Sequence, residues 1–104
     1  MKKFREISFE WDQWNIQKNE EKHGIASLEA ESVFFDEDLG IFNDIKHSTE
    51  KEKIFIAYGL SNKNKIVMIA FTIRKQKIRI ISARTASAKE RSMYEKNKKE
   101  TKRS

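Results

Sequence analysis

Basic and proton-transferring side chains border the apolar segments of this chain from residue 47 onward. Arg74 and Arg84 can each hold a phosphate through paired N–H donors, and His47, Glu52 or Tyr94 can move protons. Such a set suits metal-free RNA cleavage, in which the 2′-hydroxyl attacks the neighbouring phosphate. Guanidiniums neutralise the charge of the transition state, and an acid protonates the departing 5′ oxygen. Tyr94 could instead stack a splayed base.

Further basic residues could hold the RNA backbone, and their placement depends on strand parity and on one turn. Odd and even positions predict opposite sheet faces for Arg79 and Arg84. A three-residue loop at Lys75–Lys77 would put Arg74 and Arg84 on one face, whereas a two-residue loop would pair Arg74 with Arg79 instead. The predicted RNA-binding residues are Arg79, Arg91, Lys75 and Lys77.

Each candidate also has a purely structural interpretation. Arg74 and Arg84 could be solvated strand ends, and His47 could pin a loop. Arg91 and Tyr94 lie three positions apart, which places them on one face of the last helix, and that region could simply dock the helix. His23, which precedes Gly24, favours a role at a helix C-terminus.

Several classes of site are excluded by residue type. The chain has no cysteine, and its two histidines, His23 and His47, are not at metal-ligand spacing. It contains no Gly-rich phosphate loop. We therefore expect no metal and no cofactor. No apolar run is long enough to span a bilayer, and no apolar segment follows the charged start, so we expect a cytoplasmic protein without a membrane association.

The net charge of +6 conceals a strong asymmetry along the 104 residues. Residues 1–61 carry 8 basic and 13 acidic residues, whereas residues 62–104 carry 14 basic and 3 acidic residues. A division of this size is typical of a surface that meets a polyanion, although a solvated basic surface with a lysine-rich tail would give the same numbers.

The first half of the chain predicts one strand and two helices. Ile7, Phe9 and Trp11 alternate with polar residues, as in a short strand. Asp12 can cap a helix that runs to about His23 and is closed by Gly24. Ser27 is the predicted N-cap of a second short helix, whose apolar face consists of Leu28, Ala30, Val33 and Phe34.

The second half is rich in predicted strands. A weak strand spans Ile41–Ile45, and stronger ones span Ile54–Leu60, Ile66–Ile73 and Ile78–Arg84. Short connections favour an antiparallel meander of three or four strands. Ser87 and Glu90 form a capping box that opens a last helix to about Lys98. We therefore predict an α+β fold in one domain, residues 1–95, with a frayed or disordered basic extension at 96–104.

An ordered series of short motifs from Phe9 to Glu95 resembles the BrnT toxins. The resemblance covers nearly the whole chain, and its specificity comes from the order of the pieces rather than from any single one. The pieces are Phe9-Glu10-Trp11-Asp12, Asn19, Lys22-His23-Gly24, Val33-Phe34, Asp36, His47-Ser48, Glu52, Gly59, Thr72, Arg74, Ile80-Ile81-Ser82-Ala83-Arg84, Ala86, Glu90-Arg91 and Tyr94-Glu95.

The resemblance implies a RelE-like fold and an RNA-cleaving toxin of a type II toxin–antitoxin pair that arrests translation. It implies neutralisation by a DNA-binding BrnA-type antitoxin, operator binding only through that antitoxin, and a dimer of toxin–antitoxin heterodimers. By position it assigns the site to Arg74, Arg84 and Tyr94, with His47 and Glu52 as additions.

Two other functions remain open from sequence. A non-catalytic nucleic-acid-binding regulator would use the basic half and show salt-sensitive binding without cleavage. A degenerate toxin would act as an interaction module that binds a partner without toxicity.

Overall fold

The computed structural model describes the backbone of residues 8–103 and the side chains of residues 8–98. Within these residues, five strands form one sheet, and three helices pack around it. The strands are β1 (Ser8–Trp11), β2 (Gly40–Asn43), β3 (Phe55–Leu60), β4 (Ile66–Arg74) and β5 (Lys77–Thr85). The helices are α1 (Gln13–His23), α2 (Ser27–Ser32) and α3 (Ala88–Arg103), and a single 3-10 turn, Val33–Phe35, follows α2.

The sheet has the strand order β1-β5-β4-β3-β2. Strands β2 to β5 form the predicted antiparallel meander, with four members. Strand β1 joins the far edge in parallel with β5, which makes the sheet mixed. The predicted α+β class is thus confirmed. The predicted start of the first strand, Ile7, lies outside the described residues.

One face of the sheet is covered by α1, α2 and the 3-10 turn, and this layer holds the core. Alternate residues of β4, namely Val67, Ile69 and Phe71, point into it and are almost fully buried. Phe34 fills the centre, with its ring centroid 5.1 Å from that of Phe71 and 5.4 Å from that of Phe9. The opposite face of β3, β4 and β5 is only partly covered, and we call it the open face.

The ends of α1 follow the predicted capping, whereas the start of α2 does not. The Asp12 side chain accepts a hydrogen bond of 2.8 Å from the Trp14 N–H, and Gly24 closes the helix with φ 71°. Ser27 was the predicted N-cap of α2, but it is the first helical residue. Ala26 holds the cap position without a side-chain hydrogen bond, so this prediction is wrong.

Two loop lengths were predicted for the hairpin between β4 and β5, and the structure has the two-residue loop. Lys75 and Gln76 both have positive φ, 48° and 66°, which matches the twist of a tight hairpin turn. Arg74 lies directly opposite Lys77, and Thr72 lies opposite Arg79. Residues that face each other across antiparallel strands point to the same side, so Arg74 and Arg79 share the open face.

A β-bulge then changes the parity of β5. The register shifts between Ala70 and Phe71, because Phe71 pairs with Ile80 while Ala70 pairs with Ser82. Ile81 is the extra residue, and it reverses the alternation that follows it. Arg84 lies opposite Met68 and therefore points to the open face. The prediction that Arg79 and Arg84 lie on opposite faces is wrong, since it assumed a regular strand.

Helix α3 begins with the predicted capping box. The Ser87 N–H donates to Glu90 Oε1 at 2.8 Å, and the Glu90 N–H donates to Ser87 Oγ at 3.2 Å. The helix continues to Arg103, past the predicted end at Lys98. It crosses the open face near Tyr58 and leaves the centre of that face uncovered. The division into a domain of residues 1–95 and an extension of residues 96–104 stays a prediction.

Candidate active site

A row of four residues runs across the open face and positions the candidate site. The strand register aligns Gly40 of β2, Tyr58 of β3, Met68 of β4 and Arg84 of β5. Because each neighbour in this row points to the same face, the phenol and the guanidinium stand over one surface. The sheet thus places two polar side chains, from distant parts of the sequence, beside one another.

Arg84 is held by a carboxylate from the first turn of α3. Its Nη1 and Nη2 atoms donate to the two Glu90 oxygens at 2.8 and 2.9 Å, which is the bidentate geometry of a strong ion pair. Tyr58 donates its O–H to Glu90 Oε2 at 3.1 Å. The hydrogen bonds from Arg84 are the main reason that the pKa of Glu90 is lowered to about 2. Burial, and then the Glu90 charge, raise the pKa of Tyr58.

The arginine keeps further donors for a ligand. A guanidinium has five N–H groups, of which two bind Glu90 and a third reaches the Thr85 carbonyl at 3.3 Å. The other two donate to no residue that the structure describes. Arg84 is therefore fixed in orientation by Glu90 and can still present two N–H groups to a phosphate.

A histidine–aspartate pair lies at the end of β2. His47 Nδ1 lies 2.7 Å from Asp44 Oδ2, and the His47 N–H also reaches Asp44 Oδ1 at 3.3 Å. The histidine side chain is 67% exposed, whereas that of Asp44 is 17% exposed. A carboxylate on Nδ1 fixes the ring and its tautomer, and the other ring nitrogen, Nε2, is then available for proton transfer.

Arg84 and the His47–Asp44 pair border the same cleft on the open face, and this cleft has a volume of about 790 Å³. Its floor is apolar and comes from β2, β3 and β4, with Phe42, Ile56, Met68 and Ala70 among its residues. The Phe42 ring lies 5.8 Å from that of Tyr58. An apolar floor beside a cation and a proton-transferring pair can hold a nucleobase and place its phosphate near both polar groups.

Arg74 and Glu52 lie together, but at the other end of the sheet. Arg74 Nη2 donates to Glu52 Oε2 at 3.0 Å, and both residues are part-exposed. On β4, Arg74 is six positions from Met68, the residue opposite Arg84, which corresponds to roughly 20 Å. The two arginines therefore share a face but cannot hold one phosphate between them.

Tyr94 does not reach the cleft. It is 4% exposed, and its O–H donates to Asp36 Oδ2 at 2.6 Å. The same oxygen accepts the Leu60 N–H at 2.8 Å, so Tyr94 connects α3 to the end of β3. Burial and then this hydrogen bond raise its pKa above the ordinary value. Arg91, three positions before Tyr94 on α3, is exposed, whereas Tyr94 is buried.

The remaining predicted RNA-binding residues occupy different places. Arg79 is near two carboxylates, at 3.6 Å from Glu10 and 3.9 Å from Asp12. Lys75 and Lys77 are exposed at the β4–β5 hairpin. None of these three borders the cleft.

Sequence reasoning missed three residues of the site: Asp44, Tyr58 and Glu90. The spacing of Asp44 and His47 in a short loop was a usable signal, since residues three apart in a turn can meet. Glu90 was identified as a helix cap and as part of the family motif, but not as a residue of the site. Tyr58 carried no local signal, because its place depends on the register of β3 against β4.

A sequence model for the ribonuclease toxin BrnT, of type II toxin–antitoxin systems, matches residues 11–90. The chain belongs to the BrnT family. The match covers most of the chain and contains the polar residues of the site in this BrnT protein, from Asp44 to Glu90. Arg91 and Tyr94 lie beyond it. Membership of a type II toxin family implies an antitoxin as a partner.

No curated protein matched this BrnT sequence in a comparison with such proteins. In the described part of the chain, no helix has both the length and the apolar character needed to cross a membrane.

Proposed function

We propose that this chain is a metal-independent endoribonuclease toxin that acts in the cytoplasm, arrests translation and is neutralised by a BrnA-type antitoxin. The observation that carries the proposal is the single cleft that contains both the His47–Asp44 pair and Arg84. Membership of a family of ribonuclease toxins supports RNA as the substrate.

The cleft supports a mechanism of internal transesterification. His47 Nε2 removes the proton of the 2′-hydroxyl, with Asp44 orienting the ring and stabilising its charged form. The 2′ oxygen bonds to the adjacent phosphorus while the bond from phosphorus to the 5′ oxygen breaks. The two available Arg84 N–H groups neutralise the charge on the phosphate oxygens. The imidazolium then returns its proton to the departing 5′ oxygen, which leaves a 2′,3′-cyclic phosphate and a 5′-hydroxyl.

The assembly and scaffold form part of the same proposal. We infer a RelE-like arrangement, in which arginine on a late strand serves the cleft. The antitoxin supplies the DNA-binding surface, so operator DNA is reached only through it. A dimer of toxin–antitoxin heterodimers follows from the family resemblance.

The direct test is RNA cleavage by the purified protein in the presence of a chelator, with analysis of the product ends. We expect 2′,3′-cyclic phosphate termini. His47→Ala and Arg84→Ala are each expected to lower the rate by about 100-fold or more. Lys46→Ala is the matched control, because Lys46 is exposed in the same loop and does not border the cleft.

Induced expression of the chain tests the biological part of the proposal. We expect growth arrest, and we expect the product of an adjacent antitoxin gene to relieve it. If Arg84→Ala arrests growth as strongly as the parent, the site is assigned wrongly. Salt-sensitive RNA binding without any cleavage would identify a non-catalytic regulator instead.

A further inference from the structure

The tip of the β4–β5 hairpin concentrates positive charge in an arrangement that opposes stability. Arg74 and Lys77 are directly opposite each other on the open face, and Lys75 is between them in the turn. Like charges at opposed positions destabilise a strand pair. Lys75 also has φ 48°, a conformation that glycine, asparagine or aspartate adopts more readily.

Two lysines of a neighbouring loop lie beside this charge, in the stretch Glu50-Lys51-Glu52-Lys53, which has no net charge. Lys51 and Lys53 line a shallow depression of about 610 Å³ together with Arg74 and Thr72. Glu52 Oε2 lies 3.0 Å from Arg74 Nη2 and neutralises part of the Arg74 charge. Lys75 and Lys77 have no ion-pair partner among the described side chains. We call Lys51, Lys53, Arg74, Lys75 and Lys77 the hairpin cluster.

The hairpin cluster and the cleft lie along one path. The β-bulge at Ile81 puts Arg84 on the same face as Arg74 and Lys77, at a separation of roughly 20 Å along the strands. The segment between β2 and β3 borders both places, since His47 lines the cleft and Lys51 and Lys53 line the depression. A chain of phosphates on the open face can therefore contact both.

We propose that the hairpin cluster is a second binding site for the RNA backbone, and that the substrate extends along the open face from Arg84 to Lys75. The charge arrangement fits a polyanion, and a local arrangement that opposes stability is typical of a functional surface. Phosphate contacts of this kind set the position of the strand and carry no base preference. The inference rests on the proposed function, because it takes RNA as the ligand of the cleft.

The test uses binding to 2′-O-methyl RNA, which lacks the attacking hydroxyl and is not cleaved. The variant is Lys75→Asn with Lys77→Gln, in which asparagine suits the positive φ, so the hairpin keeps its turn. The matched control is Lys63→Gln with Lys65→Gln, which removes the same charge from the turn between β3 and β4. Fluorescence anisotropy measures the affinity for a dodecanucleotide over a series of salt concentrations.

We expect the hairpin variant to bind the dodecanucleotide about five-fold or more weakly than the wild type at moderate salt. The slope of log affinity against log salt should fall by about 1.4, because each lost contact to a single strand contributes about 0.7. The control variant should keep the wild-type slope. Lengthening the oligonucleotide from three to twelve nucleotides should raise the affinity of the wild type more than that of the hairpin variant.

An unchanged salt slope, or an equal loss in the control variant, overturns the second site. So does an equal gain with length in the wild type and the hairpin variant. If the hairpin variant loses affinity for the antitoxin while its RNA affinity stays at the wild-type value, the surface serves a protein and the proposal is wrong. Because 2′-O-methyl RNA is not cleaved, these binding results do not depend on catalysis. A failure to cleave unmodified RNA would contradict the proposed function and would leave the binding results unchanged.

Discussion

Arg84 and Glu90 form a bidentate pair in which both guanidinium η-nitrogens donate to the carboxylate, at 2.8 and 2.9 Å. Glu90 also caps α3 through the Ser87 N–H and accepts the Tyr58 O–H. One carboxylate thus joins the last strand, the last helix and β3. This arrangement makes Glu90 a positioning residue for the cleft and a contributor to stability.

Glu90→Gln is expected to destabilise the fold at neutral pH by about 1–2 kcal/mol, since glutamine keeps the capping box but loses the charge-assisted pair. The pKa of Glu90 is lowered to about 2 in the folded state, so its contribution is fully present above the unfolded-state value of about 4.5 and is lost as the pH falls toward 2. Thermal unfolding of both proteins between pH 7 and pH 2 measures this. A difference that stays constant over that range would show that the ion pair is not responsible.

Tyr94→Phe tests the placement of Tyr94 in the core. Loss of the hydrogen bond to Asp36 should cost about 1–2 kcal/mol of unfolding free energy, while RNA cleavage well below the melting temperature should be unchanged. Tyr58→Phe is the matched change within the cleft and should lower the cleavage rate by loosening Glu90. Because the pKa of Tyr94 is raised, its stabilisation is present below about pH 10 and is lost at higher pH. Loss of cleavage in Tyr94→Phe at full folding would contradict the structure.

Asn19→Ala tests how α1 supports the bulged part of β5. The Asn19 amide is 5% exposed, accepts the Ala83 N–H at 2.8 Å and donates to the Ile25 carbonyl at 3.3 Å. Removing it leaves both backbone groups without this partner, which should cost about 2–3 kcal/mol. Asn15→Ala, one turn earlier on α1, should change the unfolding free energy by less than about 0.5 kcal/mol. Denaturant unfolding measures the loss of unfolding free energy in both variants. Equal losses would refute the role of Asn19 in linking α1 to β5.

Gly59→Ala tests the close packing of β3 under the 3-10 turn. An added Cβ would lie 2.7 Å from Val33 Cγ1 and 3.1 Å from the Val33 carbonyl oxygen, so the turn must shift. We expect a loss of about 1–3 kcal/mol. At Gly24 an added Cβ meets no atom within 4 Å, and Gly24→Ala should cost only the strain of its positive φ, about 1 kcal/mol. A larger effect at Gly24 than at Gly59 would reverse this interpretation.

Local signals in the sequence were sufficient for most elements and for the family. Period-two alternation located β1, and apolar runs bounded by polar turns located β3, β4 and β5. Asp12 and Gly24 located the ends of α1, and Ser87 with Glu90 located the start of α3. These signals act within a few residues, so they do not depend on the rest of the fold. The failure at Ser27 shows their limit, because the second helix starts without a side-chain cap.

The sequence by itself therefore determined the α+β class and an antiparallel meander of three or four strands, and it predicted a basic surface that depends on arginine. Only the tertiary structure decided which of those arginines act together. Parity along β5 predicted opposite faces for Arg79 and Arg84, but the single extra residue at Ile81 reversed it, so both lie on the open face with Arg74. In the same way, Tyr58 replaced Tyr94 beside Arg84. The physical reason is that register and bulges are set by packing between distant segments, which no local pattern of side chains specifies.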